Sequence, residues 1–547
     1  MGSLIPETAR KVFTSETLRS AAKQSERLLV VPLRLRRAIK KYLREQENPH
    51  MKRNVLSLSQ SFANIKSDNE TLNATTSRAL VEDPSRSQDQ LGKRWKIKSS
   101  YGDSGLKYRD DETLAYVASR MPAVYSACHR ILREVRRRLP GFKPTTVLDF
   151  GSGTGSALWA LREIWPQSLE KINLVEPSKA MQRAAQSLIL GMKDLPLIKS
   201  YDSIQALNQN IDKSEREHDL VIASYVLGEI PSLQDRITVV RQLWDLTRDV
   251  LVLVEPGTPQ GFSIISQMRS HILWLEKRRC RKSDDASSNA LEDLRSLKKK
   301  GAFVVAPCGH DGACPLENSG TFCHFVQRMQ RTSSQRLYKR SKGKPFRGFE
   351  DEKFCFVVLR RGQRSSVQWP LDDTKLETLK ELRAKRVPEE LESELDDQSD
   401  FSEEEETSDE ENLASYNSVV PQDAADNDDE ESLVSYNSDV PEDAGDKYEE
   451  EKEEEAEEEC PADLGTGWGR IIFAPMKRGK QVLMHVCRSV KHDGSEGALE
   501  RVIVTRSKNP ALHRLAKKSF WGDLWPLKGE DKQMALSQQN REAKSKS

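Results

Sequence analysis

Val147-Leu148-Asp149-Phe150-Gly151-Ser152-Gly153-Thr154-Gly155, followed by Ala157-Leu158-Trp159-Ala160-Leu161, reads as strand, tight turn and helix. The apolar run after Pro144 ends in a carboxylate and three glycines at alternate positions. A doubly wound α/β sheet builds its nucleotide pocket in this order, at the carboxyl end of its first strand. The glycines let the backbone turn sharply and let a ligand approach with no Cβ in the way. The spacing is D-x-G-x-G-x-G, not the G-x-G-x-x-G of dinucleotide enzymes, and no basic residue for a pyrophosphate follows. A second strand, Ile172-Asn173-Leu174-Val175, ends at Glu176, about 20 residues past the last glycine, where a carboxylate accepts both hydroxyls of a ribose.

The loop resembles the S-adenosylmethionine loop of class I methyltransferases. That resemblance makes Asp149, Gly151, Ser152, Gly153, Gly155 and Glu176 the expected cofactor-binding residues. Outward from the loop the βα alternation continues. A third strand is expected near Leu197–Ile198, a fourth at His218–Tyr225 and a fifth at Asp249–Glu255, with helices at Ser178–Leu190 and Leu233–Thr247. The last two strands are continuous apolar runs, as strands covered on both faces are. Lys353–Arg361 is expected to close the sheet, and the hundred or so residues before it read as an insertion. The fold class is therefore α/β, a Rossmann-like domain over 141–365 with a cysteine-rich insertion at 300–330. Upstream, 101–140 carries a helical apolar period. Residues 51–100 read as a polar linker, and 1–50 as a basic amphipathic segment of targeting type.

A formal net charge of +1 conceals segregation. Glu389–Glu459 holds 33 acidic residues against two lysines, leaving 84 basic and 52 acidic residues elsewhere. The folded part is thus basic and suits a polyanionic partner. Basic stretches stand at Tyr338–Arg347, Arg360–Arg361 and Met476–Lys480. The acidic tract, within 366–464, is low-complexity and reads as disordered; its Leu-x-Ser-Tyr-Asn-Ser unit occurs twice, at 413–418 and 433–438. Beyond it, 465–530 reads as a small antiparallel β domain with three strands, Arg470–Phe473, Gln481–Cys487 and Leu499–Val504, and 531–547 as a tail. Eight cysteines in 547 residues do not make a disulfide scaffold, and no secretory signal or apolar run of membrane-spanning length is present.

Cys308, Cys314 and Cys323 lie in a Gly- and Pro-rich segment, spaced C-x5-C-x8-C. A loop with so little core of its own needs a staple, and in a reducing compartment thiolates take a metal. Zinc with His310 or His324 as fourth ligand competes with an iron–sulfur cluster completed by a distant thiolate. Cys355, Cys460 and Cys487 are the candidates for that thiolate.

Taken together, the glycine loop, Val254-Glu255-Pro256-Gly257-Thr258-Pro259, the Pro-Cys…Cys-Pro…Phe-Cys-His-Phe segment and Trp521-Gly522-Asp523-Leu524-Trp525-Pro526 resemble one family. It is the methyltransferase-like family of assembly factors for the mitochondrial small ribosomal subunit. The resemblance implies S-adenosylmethionine binding and a [4Fe-4S] cluster on Cys308, Cys314, Cys323 and Cys487, with zinc as the alternative. It also implies a monomer in the mitochondrial matrix that contacts small-subunit rRNA and ribosomal proteins, and no membrane. Transfer activity is expected to be weak or lost. Ser224-Tyr225-Val226-Leu227-Gly228-Glu229 stands where an amine-methylating motif would follow the fourth strand, though Glu229 and Glu255 are placed to orient an acceptor amine or to cap loops. Two rival readings are an active rRNA methyltransferase and a zinc-stapled scaffold that binds proteins.

Overall fold

The computed structural model describes residues 19, 22–24, 26–46, 48–75, 108–230, 232–286, 300–317, 319–339, 347–364, 468–491 and 493–526. All of them belong to one unit, Met1–Leu376 with Cys460–Ser547. The acidic tract, its duplication, Cys460, most of the 338–347 stretch and the 531–547 tail lie outside the described residues. No described helix is long and apolar enough to cross a membrane.

Among the described residues four helices precede the sheet: α1 (Leu33–Glu45), α2 (Met51–Thr75), α3 (Asp110–Ser119) and α4 (Met121–Arg138). Then follow β1 (Thr146–Phe150), α5 (Ser156–Ile164), β2 (Lys171–Val175), α6 (Lys179–Ile189), β3 (Leu197–Tyr201), α7 (Ile204–Asn210), β4 (His218–Ser224), α8 (Leu233–Asp245) and β5 (Thr247–Pro256). The domain finishes with α9 (Pro259–Ala286), β6 (Ala302–Ala306), β7 (Phe325–Gln330), α10 (Ser333–Tyr338) and β8 (Phe349–Arg361). Strand order is β3-β2-β1-β4-β5-β8-β6, with β7 also on β8. The first five strands are parallel and β8 runs antiparallel to β5. This is the Rossmann-like order of a methyltransferase fold, closed by one reversed strand.

Period-two alternation explains the apolar runs. In β5, Val250, Val252 and Val254 join the core under α4 and α5, while Leu251 and Leu253 join the one holding Trp244 of α8 and Ile264 of α9. Every residue of that run is buried, so no polar position survives to mark a surface face.

Three expectations from sequence are corrected. The stretch before β8 is no insertion: β6 pairs with Val358–Arg361 and β7 with Phe349–Phe354, end to end on β8, and the cysteine loop is their connection. Residues 51–75 are a helix rather than a linker. Met51, Val55 and Leu58 are buried, and Phe62 and Ile65 extend the stripe against Leu114, Ala115 and Ala118. That spacing is helical, diluted by the polar residues between. Leu29, Val31, Leu35 and Ile39 of the first segment sit in the main core. Leu29 pairs with β7, donating to the Arg328 carbonyl at 2.9 Å and accepting from the Gln330 N–H at 2.9 Å.

Among the described residues the C-terminal part has five strands, not three: β9 (Gly469–Ile471), β10 (Met476–Arg478), β11 (Gln481–Ser489), β12 (Gly497–Thr505) and, after helix α11 (Pro510–Lys518), β13 (Leu524–Trp525). The basic Met476–Lys480 stretch is thus a short strand plus the Gly479-Lys480 hairpin turn. Trp468, Ile471, Val486, Leu515 and Trp525 form its core, and Ala22 from the chain's beginning packs into it.

Candidate functional site

The glycine loop leaves β1 with Gly151, Gly153 and Gly155 at φ of 68°, 52° and 83°, the left-handed region where a Cβ is penalised. Gly151 and Ser152 donate to the Val175 carbonyl at 2.8 and 3.3 Å, which ties the loop to the end of β2. Glu176 adds two clamps, accepting from the Gly153 N–H and the Ser178 N–H, each at 2.9 Å. Burial pushes Glu176 up to about 7. Asp149 is fully buried and, among the described residues, neither carboxylate oxygen has a hydrogen-bond partner. Burial, then the neighbouring Glu176, pushes it up to about 7. A buried carboxyl without partners fits a ligand that brings a cation and donors, as the sulfonium and amine of S-adenosylmethionine would.

Tyr108 spans this pocket. Its carbonyl accepts from the Ser178 hydroxyl at 2.7 Å, and its own hydroxyl donates to Glu229 at 2.7 Å. Glu255 accepts from the Leu227 and Gly228 N–H groups at 2.8 and 3.2 Å, so it caps the turn after β4. Tyr225, at φ 58°, turns its hydroxyl to Glu352, which Arg120 grips with two hydrogen bonds of 2.8 and 2.9 Å. Of the two glutamates named from sequence, Glu255 serves a loop and Glu229 serves Tyr108.

The second site lies at the junction with the C-terminal sheet. Cys308, Cys314, Cys323 and Cys487 line one cavity, with Pro307, Pro315, Leu316, Arg470, Ile472 and Leu499. Cys308 hydrogen-bonds Cys487, which holds the Cys308 thiol well below its ordinary value and raises Cys487. Burial pushes Cys314 up to about 11 and raises Cys323. Among the described residues no group of three or more His, Cys, Asp or Glu converges tightly enough to hold a metal ion. Four thiols brought to one cavity are the donor type of either a zinc site or an iron–sulfur cluster.

The other sequence candidates resolve differently. His324 is stacked on Phe322 at 4.6 Å and edge-on to Trp521 at 4.4 Å, in an aromatic sandwich. His310 is buried with Nε2 3.4 Å from the Cys487 sulfur. Cys355 donates to the Cys323 carbonyl at 3.2 Å and steadies the loop from behind. Arg360 grips Asp249, and Arg361 donates to the Thr247 and Trp244 carbonyls, so that basic stretch braces the sheet.

Close backbone packing brings the halves together. Asp311 donates to the Gly494 carbonyl at 2.7 Å, a Cβ at Gly312 would stand 2.6 Å from the Ser495 oxygen, and one at Gly497 would overlap the His310 ring. Arg269 holds the loop through the His310 and Gly312 carbonyls, at 3.0 and 2.7 Å. Arg470, 1% exposed, donates to Pro307 O and Gly522 O and pairs with Glu134 of α4. Sequence reading missed Arg470; its signal was a lone charge in the apolar run Arg470-Ile471-Ile472-Phe473.

The family profile described as "Mitochondrial small ribosomal subunit Rsm22" matches residues 110–388 and 422–526. The human mitochondrial ribosome assembly protein METTL17 is 32% identical over 300 residues, 54% of this chain and 60% of its own length. The mitochondrial ribosome assembly protein RSM22 of Saccharomyces cerevisiae is 22% identical, over 76% of this chain and 67% of its own. A Schizosaccharomyces pombe Rsm22-cox11 tandem protein is 25% identical over 77% of this chain and 44% of its own. The chain thus spans 44 to 60% of the length of the first relatives it matches. Among solved structures, the magnesium protoporphyrin IX methyltransferase of Synechocystis with bound S-adenosylmethionine aligns at 14% identity, 54% of this chain and 97% of that one, with a TM-score of 0.24. So low a score carries no argument, and the fold stands on the strand order above.

Proposed function

The chain belongs to the Rsm22 family of the mitochondrial small ribosomal subunit, and from that membership we propose that it is a mitochondrial assembly factor that binds small-subunit rRNA. It keeps a methyltransferase fold as a nucleoside-binding frame. Asp149, Glu176 and the glycine loop hold S-adenosylmethionine, and Cys308, Cys314, Cys323 and Cys487 hold a [4Fe-4S] cluster. When bound, that cluster supplies a covalent clamp between the main sheet and the C-terminal sheet. The exposed Met476–Lys480 hairpin meets phosphates, so association with rRNA weakens steeply with salt. Methyl transfer is not part of this reading, because Glu255 is committed to a turn and Glu229 to Tyr108.

One observation carries the proposal: thiols from two sheets, far apart in sequence, line one cavity. Anaerobically purified protein should be brown, absorb near about 400 nm and carry four irons per chain, and Cys487→Ser should lose that absorbance. A colourless protein with one zinc per chain would instead favour the scaffold reading. Tritium transfer from S-adenosylmethionine onto purified small-subunit rRNA would restore the enzyme reading.

A further inference from the structure

Where the first segment of the chain meets α11, a shallow cleft of about 40 Å³, partly open to solvent, is lined by Arg19, Lys23, Arg27, Lys518, Phe520 and Asp523. Phe520 is 39% exposed, an unusual place for a phenyl ring. The Arg27 guanidinium lies 5.6 Å from its centroid and the Lys477 ammonium 5.3 Å. Among the described residues, Arg19, Lys23, Arg27 and Lys518 have no ion-pair partner. The Asp523 carboxylate is taken up inside, by the Gln24 and Phe520 N–H groups at 2.9 Å each. An exposed ring among unpaired cations is the chemistry of a single-stranded nucleic-acid site, where rings and guanidinium planes stack bases and ammonium groups track phosphates. A duplex has its bases stacked already and offers the ring nothing.

The geometry points to this cleft as the seat of an unpaired rRNA segment, one base against Phe520 and Arg27 and the flanking phosphates on Lys23, Lys518 and Arg19. Lys477 makes the cleft continuous with the β10–β11 hairpin. The inference rests on the proposed rRNA binding and names the strand state and the residues that read it. The chain's own polyanion, Glu389–Glu459, matches the cations but brings no base for the ring.

The test is fluorescence anisotropy on the full chain with its cluster, using a labelled 12-nucleotide single-stranded RNA and the same sequence as a duplex. Phe520→Leu should weaken single-strand binding about tenfold, and Phe520→Trp should restore it. Lys23→Ala with Lys518→Ala should make the salt slope shallower by about 1.4. If these variants bind as the parent does while Arg478→Ala with Lys480→Ala loses affinity, the cleft is wrong and rRNA binding stands. A parent chain that binds neither RNA overturns both. Equal affinity for duplex and single strand overturns the cleft, as does poly-glutamate displacing the RNA equally from parent and Phe520→Leu.

Discussion

The glycine pocket and the cysteine cavity are built by opposite means. The pocket is local: three glycines at alternate positions take left-handed φ, and one carboxylate just past the next strand clamps the loop. The cavity is remote: three thiols hang from the β6–β7 connection and the fourth comes from β11 of another sheet. Backbone conformation makes the first, whereas buried charge and glycine-thin packing make the second. Damage to one should therefore spare the other.

The largest separation is expected from Glu134→Ala. It strips the carboxylate from Arg470 and Arg138, both buried, and uncompensated buried charge costs about 3–5 kcal/mol. The melting temperature and iron content should fall, while S-adenosylmethionine affinity measured by calorimetry in the cold stays within about twofold. Loss of both sites together would break the contrast. Next is Gly497→Ala, whose Cβ overlaps the His310 ring; overpacking of this kind costs about 1–3 kcal/mol, read as lower stability and lost iron with the pocket intact. Gly153→Ala is the mirror case. Its Cβ meets nothing closer than 4.0 Å, so the penalty is the positive φ alone, about 1–2 kcal/mol, and cofactor affinity should drop with iron unchanged.

A pH dependence is expected to be confined to the pocket. Asp149 and Glu176 are pushed up to about 7, so each is largely protonated at pH 6 and largely ionised at pH 8. A cationic ligand prefers the ionised forms, and below about 7 its binding must expel protons. Affinity should rise from pH 6 to pH 8 by about tenfold per carboxylate. Without ligand the sign reverses for stability: these carboxyls bind protons more tightly folded than unfolded, so stability declines as pH climbs from about 4 through 7. A calorimetric titration across that range, with and without ligand, checks both.

The same contrast governs what could be read in advance. The glycine loop and the strands β1, β2, β4 and β5 were legible because each is a contiguous stretch of sequence, a glycine spacing or an unbroken apolar run. The strands β6 and β7 were not: they are short, flank a Gly- and Pro-rich loop, and gain their identity only from lying end to end on β8. Helix α2 was hidden because five apolar residues at helical spacing were diluted by Ser, Asn and Lys. For the cavity, three cysteines were visible as spacing and the fourth only through family resemblance. Arg470 went unread because its partners, Pro307, Gly522 and Glu134, are tertiary.

One consequence follows from thiols on both sides of the acidic tract meeting in one cavity. Bringing two distant points of a chain together carries an entropic penalty that grows only with the logarithm of the intervening length, about 0.6 kcal/mol per doubling. Evolution is therefore nearly free to lengthen or shorten the stretch between Arg364 and Trp468 while the junction it spans stays fixed. Relatives should differ most in size there, with their thermal midpoints hardly moved.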